Sequence, residues 1–145
     1  MSEKECCNCK EVELYKSCEC GEIVEMVCTC GEPVSCCGQR MERMTPNMTE
    51  GAAPQGQKPV GAQEKHLPVV EREGDIITVK VGEIFHPMEE KHSIQWVTLQ
   101  TRQGTQRKHL PPTGEPVVRF ALIDGDEPQS VYAYCNLHGL WKTEL

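Results

Sequence analysis

Residues 75–81 read DIITVKV, and this stretch decides how the second half of the chain folds. Ile77, Val79 and Val81 share one face of an extended strand, while the threonine and the lysine between them point to the other face. A period of two predicts a strand with one buried side. The turn sequence REGD precedes the strand, as expected at a hairpin.

The same pattern recurs along the following residues. Turn sequences RQGT, PPTGEP and DGDEP separate the strand-like runs, and no amphipathic helix or internal repeat interrupts them. Regular short strands with Gly/Pro turns predict an all-β fold, a two-sheet sandwich of the immunoglobulin type. The further strand-like runs are PVVERE (68–73), SIQWVTLQT (93–101), PVVRFALI (116–123) and SVYAYCN (130–136).

Charge and hydropathy restrict the function classes. The 145 residues include 15 Lys and Arg against 22 Asp and Glu, a net charge of -7. Such a balance argues against a binder of nucleic acid or of membrane surfaces, since both need a basic face. No apolar run approaches the roughly 20 residues of a membrane span, and the first residues lack the apolar core of a signal peptide. We therefore expect a cytoplasmic protein.

The cysteines divide the chain. Nine of the ten lie within the first 37 residues, and only Cys135 lies beyond them. In a cytoplasmic chain so many cysteines are expected to bind metal rather than form disulfides. We predict a cysteine-rich metal-binding domain over residues 1–41, a flexible Pro/Gly/Gln-rich linker over 42–63 and a β-domain over 64–145. These are called the head, the linker and the body.

The body contains every histidine of the chain, and these could form one metal site with Cys135. Structural zinc prefers four ligands in a closed tetrahedron. Blue copper needs two His, one Cys and a Met after the last His, but no Met follows His138. Four imidazoles and one thiolate suit iron, with a sixth position left for a substrate. The histidines are His66, His86, His92, His109 and His138.

Three motifs of the body closely resemble the superoxide reductases, also called desulfoferrodoxins or neelaredoxins. They are EKHLPVV (64–70), HPMEEKHSIQW (86–96) and CNLHGLWK (135–142), in the same order. The resemblance implies a seven-stranded immunoglobulin-like sandwich that holds a non-haem iron. It assigns Cys135 as axial ligand and leaves His109, in QRKHLPP, as a surface residue. The equatorial ligands that it implies are His66, His86, His92 and His138.

The resemblance also implies an activity, the one-electron reduction of superoxide to hydrogen peroxide. It assigns catalytic roles to Lys65, which would attract the anion and assist protonation, and to Glu64, which would close onto the oxidised iron. A rubredoxin-like electron donor and a homodimer or higher homo-oligomer are typical of the family. The alternative is a non-enzymatic carrier of electrons or metal, dominated by the head.

The head resembles desulforedoxin, whose iron is held by four cysteines in a C-x-x-C…C-C pattern. Here the first position of that pattern is Ser17, so the spacing departs from the family. Three interpretations stay open: a distorted four-cysteine iron site, a four-iron four-sulfur cluster, and a metallothionein-like store. The predicted ligands are Cys18, Cys20, Cys36 and Cys37, with Cys28 and Cys30 as alternatives.

Overall fold

The structure is a computed structural model that describes residues 11–49, 66–82 and 85–145. The chain divides into two compact units, Met1–Met44 and Thr45–Leu145. The described residues form strands, turns and loops, without a helix among them. Accordingly, this part of the chain has no helix of the length and apolarity that crossing a membrane requires.

The described residues of the first unit, 11–44, form five very short antiparallel strands. They are β1 (Leu14–Lys16), β2 (Ile23–Glu25), β3 (Ser35–Cys36), β4 (Gln39–Arg40) and β5 (Glu42–Arg43). β1 lies between β2 and β5, while β3 and β4 form a separate hairpin. Leu14 and Met41 are the buried apolar side chains among the described residues of this unit. So small an apolar core cannot stabilise a fold of this size, which therefore needs a further source of stability.

Part of the predicted linker is ordered. Glu42 and Arg43 pair with β1, so they extend the first unit beyond residue 41. Asn47 belongs to the second unit, where it forms a β-bridge with Trp141. Its N–H donates to the Leu140 carbonyl over 2.9 Å. The ordered chain thus continues past the predicted boundary, and residues 50–63 of the linker lie outside the described residues.

In the second unit, the residues that the structure describes form seven strands in two antiparallel sheets. One sheet has the order β10-β7-β6 and the other the order β12-β11-β8-β9. The strands are β6 (Pro68–Glu73), β7 (Ile76–Val81), β8 (Ile94–Thr101), β9 (Thr105–His109), β10 (Val117–Ala121), β11 (Pro128–Cys135) and β12 (Gly139–Glu144).

A single apolar core joins the two sheets. Ile77, Val79 and Val81 of β7 are fully buried, as their alternation predicts. They cluster with Phe120 from their own sheet and with side chains of β8 and β11 from the other, including Leu99. Side chains from both inner faces share one core, which is the arrangement of a β-sandwich. The predicted all-β, seven-stranded sandwich is confirmed.

A β-bulge lies where β11 approaches the end of the sandwich that carries the histidines. Tyr134 pairs with Trp96, but the next residue, Cys135, pairs with Ile94, so Gln95 is the extra residue on β8. A bulge of this kind re-aims the neighbouring side chains and ends regular pairing. Cys135 is consequently buried at the strand end, beside the loops that carry the histidines.

Candidate metal centre

Five potential metal ligands meet at one end of the sandwich. His66 lies just before β6, and His86 and His92 lie in the connection from β7 to β8. Cys135 ends β11, and His138 lies in the turn that leads to β12. Because neighbouring strands are antiparallel, these starts and ends of strands come together at the same edge.

The four imidazole rings form a closed circuit. Their centroids are 4.5 Å apart for His66 and His86, 4.7 Å for His86 and His92, 5.0 Å for His92 and His138, and 5.0 Å for His138 and His66. Each neighbouring pair meets edge to face, with interplanar angles between 62° and 86°. Four rings with similar spacings surround a common centre, as equatorial ligands do.

The potential donor atoms point at one another within this circuit. The Nε2 of His66 lies 3.0 Å from the Nε2 of His86 and 3.2 Å from the Nδ1 of His138. The Sγ of Cys135 lies 3.8 Å from the same Nδ1. All five donors, one from each residue, fall within 4.8 Å of one another. Buried nitrogen lone pairs converge in this way where a cation binds between them, so the donor set fits a transition-metal ion.

Burial keeps two of the histidines neutral. Burial, together with the three neighbouring histidines, lowers the pKa of His66 to about 3. Burial also lowers the pKa of His86 to about 4, although a hydrogen bond with the Pro87 carbonyl opposes that shift. Both imidazoles are therefore uncharged at neutral pH, the form in which histidine binds metal.

The Pro87 carbonyl also selects the tautomer of His86. The Nδ1–H of His86 donates to this oxygen over 2.7 Å. The proton is thereby held on Nδ1, and the lone pair of Nε2 faces the other donors. Proline at this position has a defined backbone conformation, which helps fix the carbonyl that orients the ring.

Trp141 supports two of the histidines at once, a role that was not predicted from the sequence. Its ring stacks on His66 with the centroids 4.6 Å apart and the planes 15° from parallel. Its indole Nε1–H donates to the His138 carbonyl over 3.1 Å. The motif HGLW, with Trp141 three residues after His138, places the indole near the site, but it does not show which histidine ring the indole covers.

Asn136 joins the two loops that carry ligands, which was likewise not predicted from the sequence. Its Oδ1 accepts the Ser93 N–H over 3.0 Å, and its Nδ2 donates to the Lys91 carbonyl over 2.9 Å. These two partners flank His92. Asn136 itself directly follows Cys135, so a single side chain fixes the His92 loop against the Cys135–His138 turn.

A family model described as Desulfoferrodoxin matches residues 59–144, more than half of the chain and all five donors. The chain is a member of the desulfoferrodoxin family. The family expected from the three motifs is thereby confirmed.

Individual desulfoferrodoxin-family proteins extend this similarity. The Desulfoferrodoxin of Syntrophotalea carbinolica is 42% identical over 135 residues, which cover 93% of this chain and 98% of that protein. The Superoxide reductase of Pyrococcus horikoshii is 37% identical over 100 residues, 57% of this chain and 86% of that protein. The solved structure of the superoxide reductase from Treponema pallidum superposes with a TM-score of 0.75 at 33% identity, covering 93% of this chain and 99% of the other.

Three predicted residues of the body, His109, Glu64 and Lys65, are not among the five donors. His109 is exposed on β9 and does not belong to the five-donor group, in agreement with its predicted surface position. Glu64 and Lys65 lie outside the described residues, and their catalytic roles stay predictions.

In the head, the structure brings together three of the predicted cysteine ligands. Cys20 and Cys36 have their sulfurs 3.6 Å apart, and those of Cys36 and Cys37 are 3.5 Å apart. Cys18 lies outside this group, and a hydrogen bond with Glu42 is the main cause that raises its pKa. The alternatives Cys28 and Cys30 are exposed and also lie outside the group.

Protons are shared unevenly among these thiols. The pKa of Cys20 is lowered, first by a hydrogen bond from Ser17 and then by one from the Glu22 backbone. The pKa of Cys36 is raised to about 12 by hydrogen bonds with Cys37, Cys20 and Glu22, in that order. Negative charge in the metal-free cluster therefore resides first on Cys20.

Proposed function

We propose that this chain is a superoxide reductase, which converts superoxide and two protons into hydrogen peroxide with one added electron. The reaction centre is a non-haem iron held by His66, His86, His92, His138 and Cys135. The observation that carries this proposal is the closed circuit of four imidazoles with the Cys135 thiol beside it. Similarity to proteins described as superoxide reductases supports the same assignment.

Iron, when bound, would supply the single electron that superoxide takes up. Four neutral imidazoles and one thiolate contribute one negative charge, so the site favours a cation without fully neutralising it. Five protein donors also leave one of the six positions of an octahedral ion for a small substrate. A thiolate among the donors increases electron density at the centre, as thiolate does in haem proteins.

Lys65 is proposed to guide superoxide to this centre. The whole chain carries a charge of -7 and repels an anion on average, so a local positive charge is needed near the entrance. Lys65 directly precedes the buried ligand His66 in the sequence, and this adjacency supports the proposed role. Glu64, one residue further, is proposed to close onto the oxidised centre.

The electron must be replaced after each turnover. We propose a rubredoxin-like protein as the donor and a homodimer or higher homo-oligomer as the assembly. We also propose a second metal centre in the head, either a mononuclear iron or an iron–sulfur cluster.

Pulse radiolysis of the full-length, ferrous-loaded chain tests this function. We expect one superoxide to be consumed per body iron, with formation of peroxide and without release of oxygen. Lys65→Ala should slow the second-order reaction and flatten its dependence on ionic strength, because a steering charge acts through a field that salt screens. Lys108→Ala, on the surface strand β9, is the matched control and should change neither.

One result would contradict the proposed function, and another would contradict the role of Lys65 alone. A ferrous, folded chain that leaves superoxide unreduced would favour the non-enzymatic carrier. A normal reaction whose rate and salt dependence ignore Lys65→Ala would retain the reductase and remove the proposed role of Lys65.

A further inference from the structure

In the described part of the head, three cysteines converge where a tetrahedral metal site would need four donors. The sulfurs of Cys20, Cys36 and Cys37 lie within 4.8 Å of one another, with two of the separations at 3.5 and 3.6 Å. A tetrahedral ion with metal–sulfur bonds of about 2.3 Å has sulfur–sulfur edges of about 3.8 Å. The three thiols are therefore already close to the spacing of one tetrahedral face.

Two tight turns hold these sulfurs. Cys37 and Gly38 both have positive φ, 54° and 73°, in the turn of the β3–β4 hairpin. The other turn runs from Ser17 to Glu22, where the Ser17 N–H donates to the Glu22 carbonyl and the Gly21 N–H donates to the Ser17 carbonyl. Gly21 has φ 76°, a left-handed conformation that glycine adopts without strain. One turn thus carries Cys20 and the other carries Cys36 and Cys37, and the sulfurs of the two turns converge.

Ser17 occupies the first position of its turn, three residues before Cys20. Its side chain is buried, only 3% exposed, although the neighbouring Cys18 is exposed. Its Oγ accepts the backbone N–H groups of Glu19 and Cys20, each over 3.3 Å. The Ser17 hydroxyl in turn hydrogen-bonds the Cys20 thiol. Two amides directed at one atom stabilise negative charge on it, as they do for a metal-bound ligand.

Cys18 is turned to a different partner. Its thiol hydrogen-bonds Glu42, on β5, and it is not among the three converging cysteines. The Ser17 side chain therefore contacts Cys20, whereas the Cys18 side chain contacts Glu42.

We propose that the head binds one divalent metal ion through the thiolates of Cys20, Cys36 and Cys37, with the Ser17 oxygen as the fourth donor. The site takes a borderline-soft ion such as Zn²⁺ or Fe²⁺, and each thiol releases its proton on binding. One oxygen among three sulfurs gives a weaker site than four thiolates would. Ser17 replaces Cys18 in the predicted ligand set. This inference concerns the head alone and does not depend on the proposed reaction of the body.

The full-length chain loaded with two equivalents of ¹¹³Cd²⁺ provides a direct test. Cadmium resonances move downfield with each added thiolate donor, so the head and the nitrogen-rich body site give separate signals. We expect the head signal at the position of a three-thiolate, one-oxygen site. Ser17→Cys should move it downfield to the four-thiolate position, while the body signal stays in place as an internal control.

Cys18→Ser is the matched control, since it changes the adjacent residue from sulfur to oxygen. It should leave both signals unchanged, and Cys20→Ser should remove or shift only the head signal. In competition with a chelator, Ser17→Cys should raise the affinity of the head at least tenfold, and Ser17→Ala should lower it.

Several outcomes would overturn the proposal. These are a four-thiolate signal from the unaltered chain, a head signal that responds to Cys18→Ser, an unchanged signal in Ser17→Cys, or no cadmium signal from the head at all. A body signal that persists through all variants shows that the body remains folded, and hydrogen exchange of β1 and β5 in the cadmium-loaded variants shows whether the head does, so each outcome can be interpreted.

Discussion

The two clusters of potential metal ligands are built in opposite ways. In the body, His66 and His86 are almost fully buried, and Trp141 and Asn136 hold the ligand loops against a sandwich with its own core. In the head, the three converging cysteines are exposed or, for Cys36, partly buried, and Leu14 and Met41 are the buried apolar side chains among the described residues of that unit. The body site is therefore prepared by the fold, whereas the head must gain much of its stability from the ion it binds.

Metal removal should expose this difference most strongly. We expect a chelator to abolish amide protection in β1 and β5 of the head, because their small core cannot hold the strands without an ion. Strands β7 and β8 of the body should stay protected, since Ile77 and Leu99 are buried independently of any metal. Hydrogen exchange followed by mass spectrometry of the metal-free chain measures both. Equal loss of protection in the two units would contradict the comparison.

Removal of one body ligand should have the next largest effect. His86→Ala deletes one of the four rings and should eliminate or severely alter iron binding in the body, while the head keeps its metal. Metal content and visible absorption of the purified variant measure the change. The control is His109→Ala on exposed β9, which should retain the iron. If His109→Ala also loses it, the ligand set is wrong.

A smaller effect is expected from Asn136, which touches the ligand loops without being a proposed ligand. Asn136→Ala removes the two side-chain hydrogen bonds that flank His92, and loss of such a supporting contact typically weakens metal binding by about 10- to 100-fold. Asn136→Asp keeps an acceptor for the Ser93 N–H but cannot donate to the Lys91 carbonyl, so it should be intermediate. Chelator competition at the body site, with the head affinity as the control, measures both variants. Full affinity in Asn136→Ala would show that the loop is fixed by other contacts.

The last expected effect is a pH dependence of stability, which concerns the metal-free body alone. The pKa values of His66 and His86 are lowered to about 3 and about 4, whereas the unfolded chain titrates near 6.5. Below pH 6.5 the unfolded state therefore binds more protons, and stability falls as the pH drops from about 6.5 toward those folded values. Each histidine contributes at most about 1.4 kcal/mol per pH unit.

Urea unfolding of the metal-free chain between pH 7 and pH 4.5, followed by tryptophan fluorescence, measures this slope. Trp96 and Trp141 both lie in the second unit, so the signal reports on the body. His86→Asn should reduce the slope, and His109→Asn should leave it unchanged. A pH-independent midpoint would mean that the buried histidines do not limit stability in acid.

The regular alternation of the inner strands made most of the body predictable. Ile77, Val79 and Val81 are buried as expected, but β9 and β12 were not among the predicted runs. β9, TQRKH, is an edge strand that is mostly exposed, so it lacks the apolar alternation that marks a half-buried strand. β12 begins at Gly139 and contains Lys142, both poor strand signals.

Motifs identified the potential ligands but not the contacts that orient them. Trp141 acts through ring stacking and a backbone carbonyl, and Asn136 acts through backbone atoms of a loop more than forty residues away. Neither contact produces a periodic pattern or a motif in the sequence from which it could be predicted. In the head, closely spaced cysteines could not show which of them converge, because that depends on turn conformations such as the positive φ of Cys37.

The central claim is that the body alone carries the site and its reaction. A chain truncated to begin at Thr45 keeps the contact of Asn47 with Trp141 and removes the head. Pulse radiolysis of this iron-loaded chain, beside the full-length protein, is the most direct test. We predict a second-order rate with superoxide close to that of the full chain, together with loss of the absorption from the thiolate-bound metal of the head. A truncated chain that is folded and ferrous but does not reduce superoxide even once would contradict the claim.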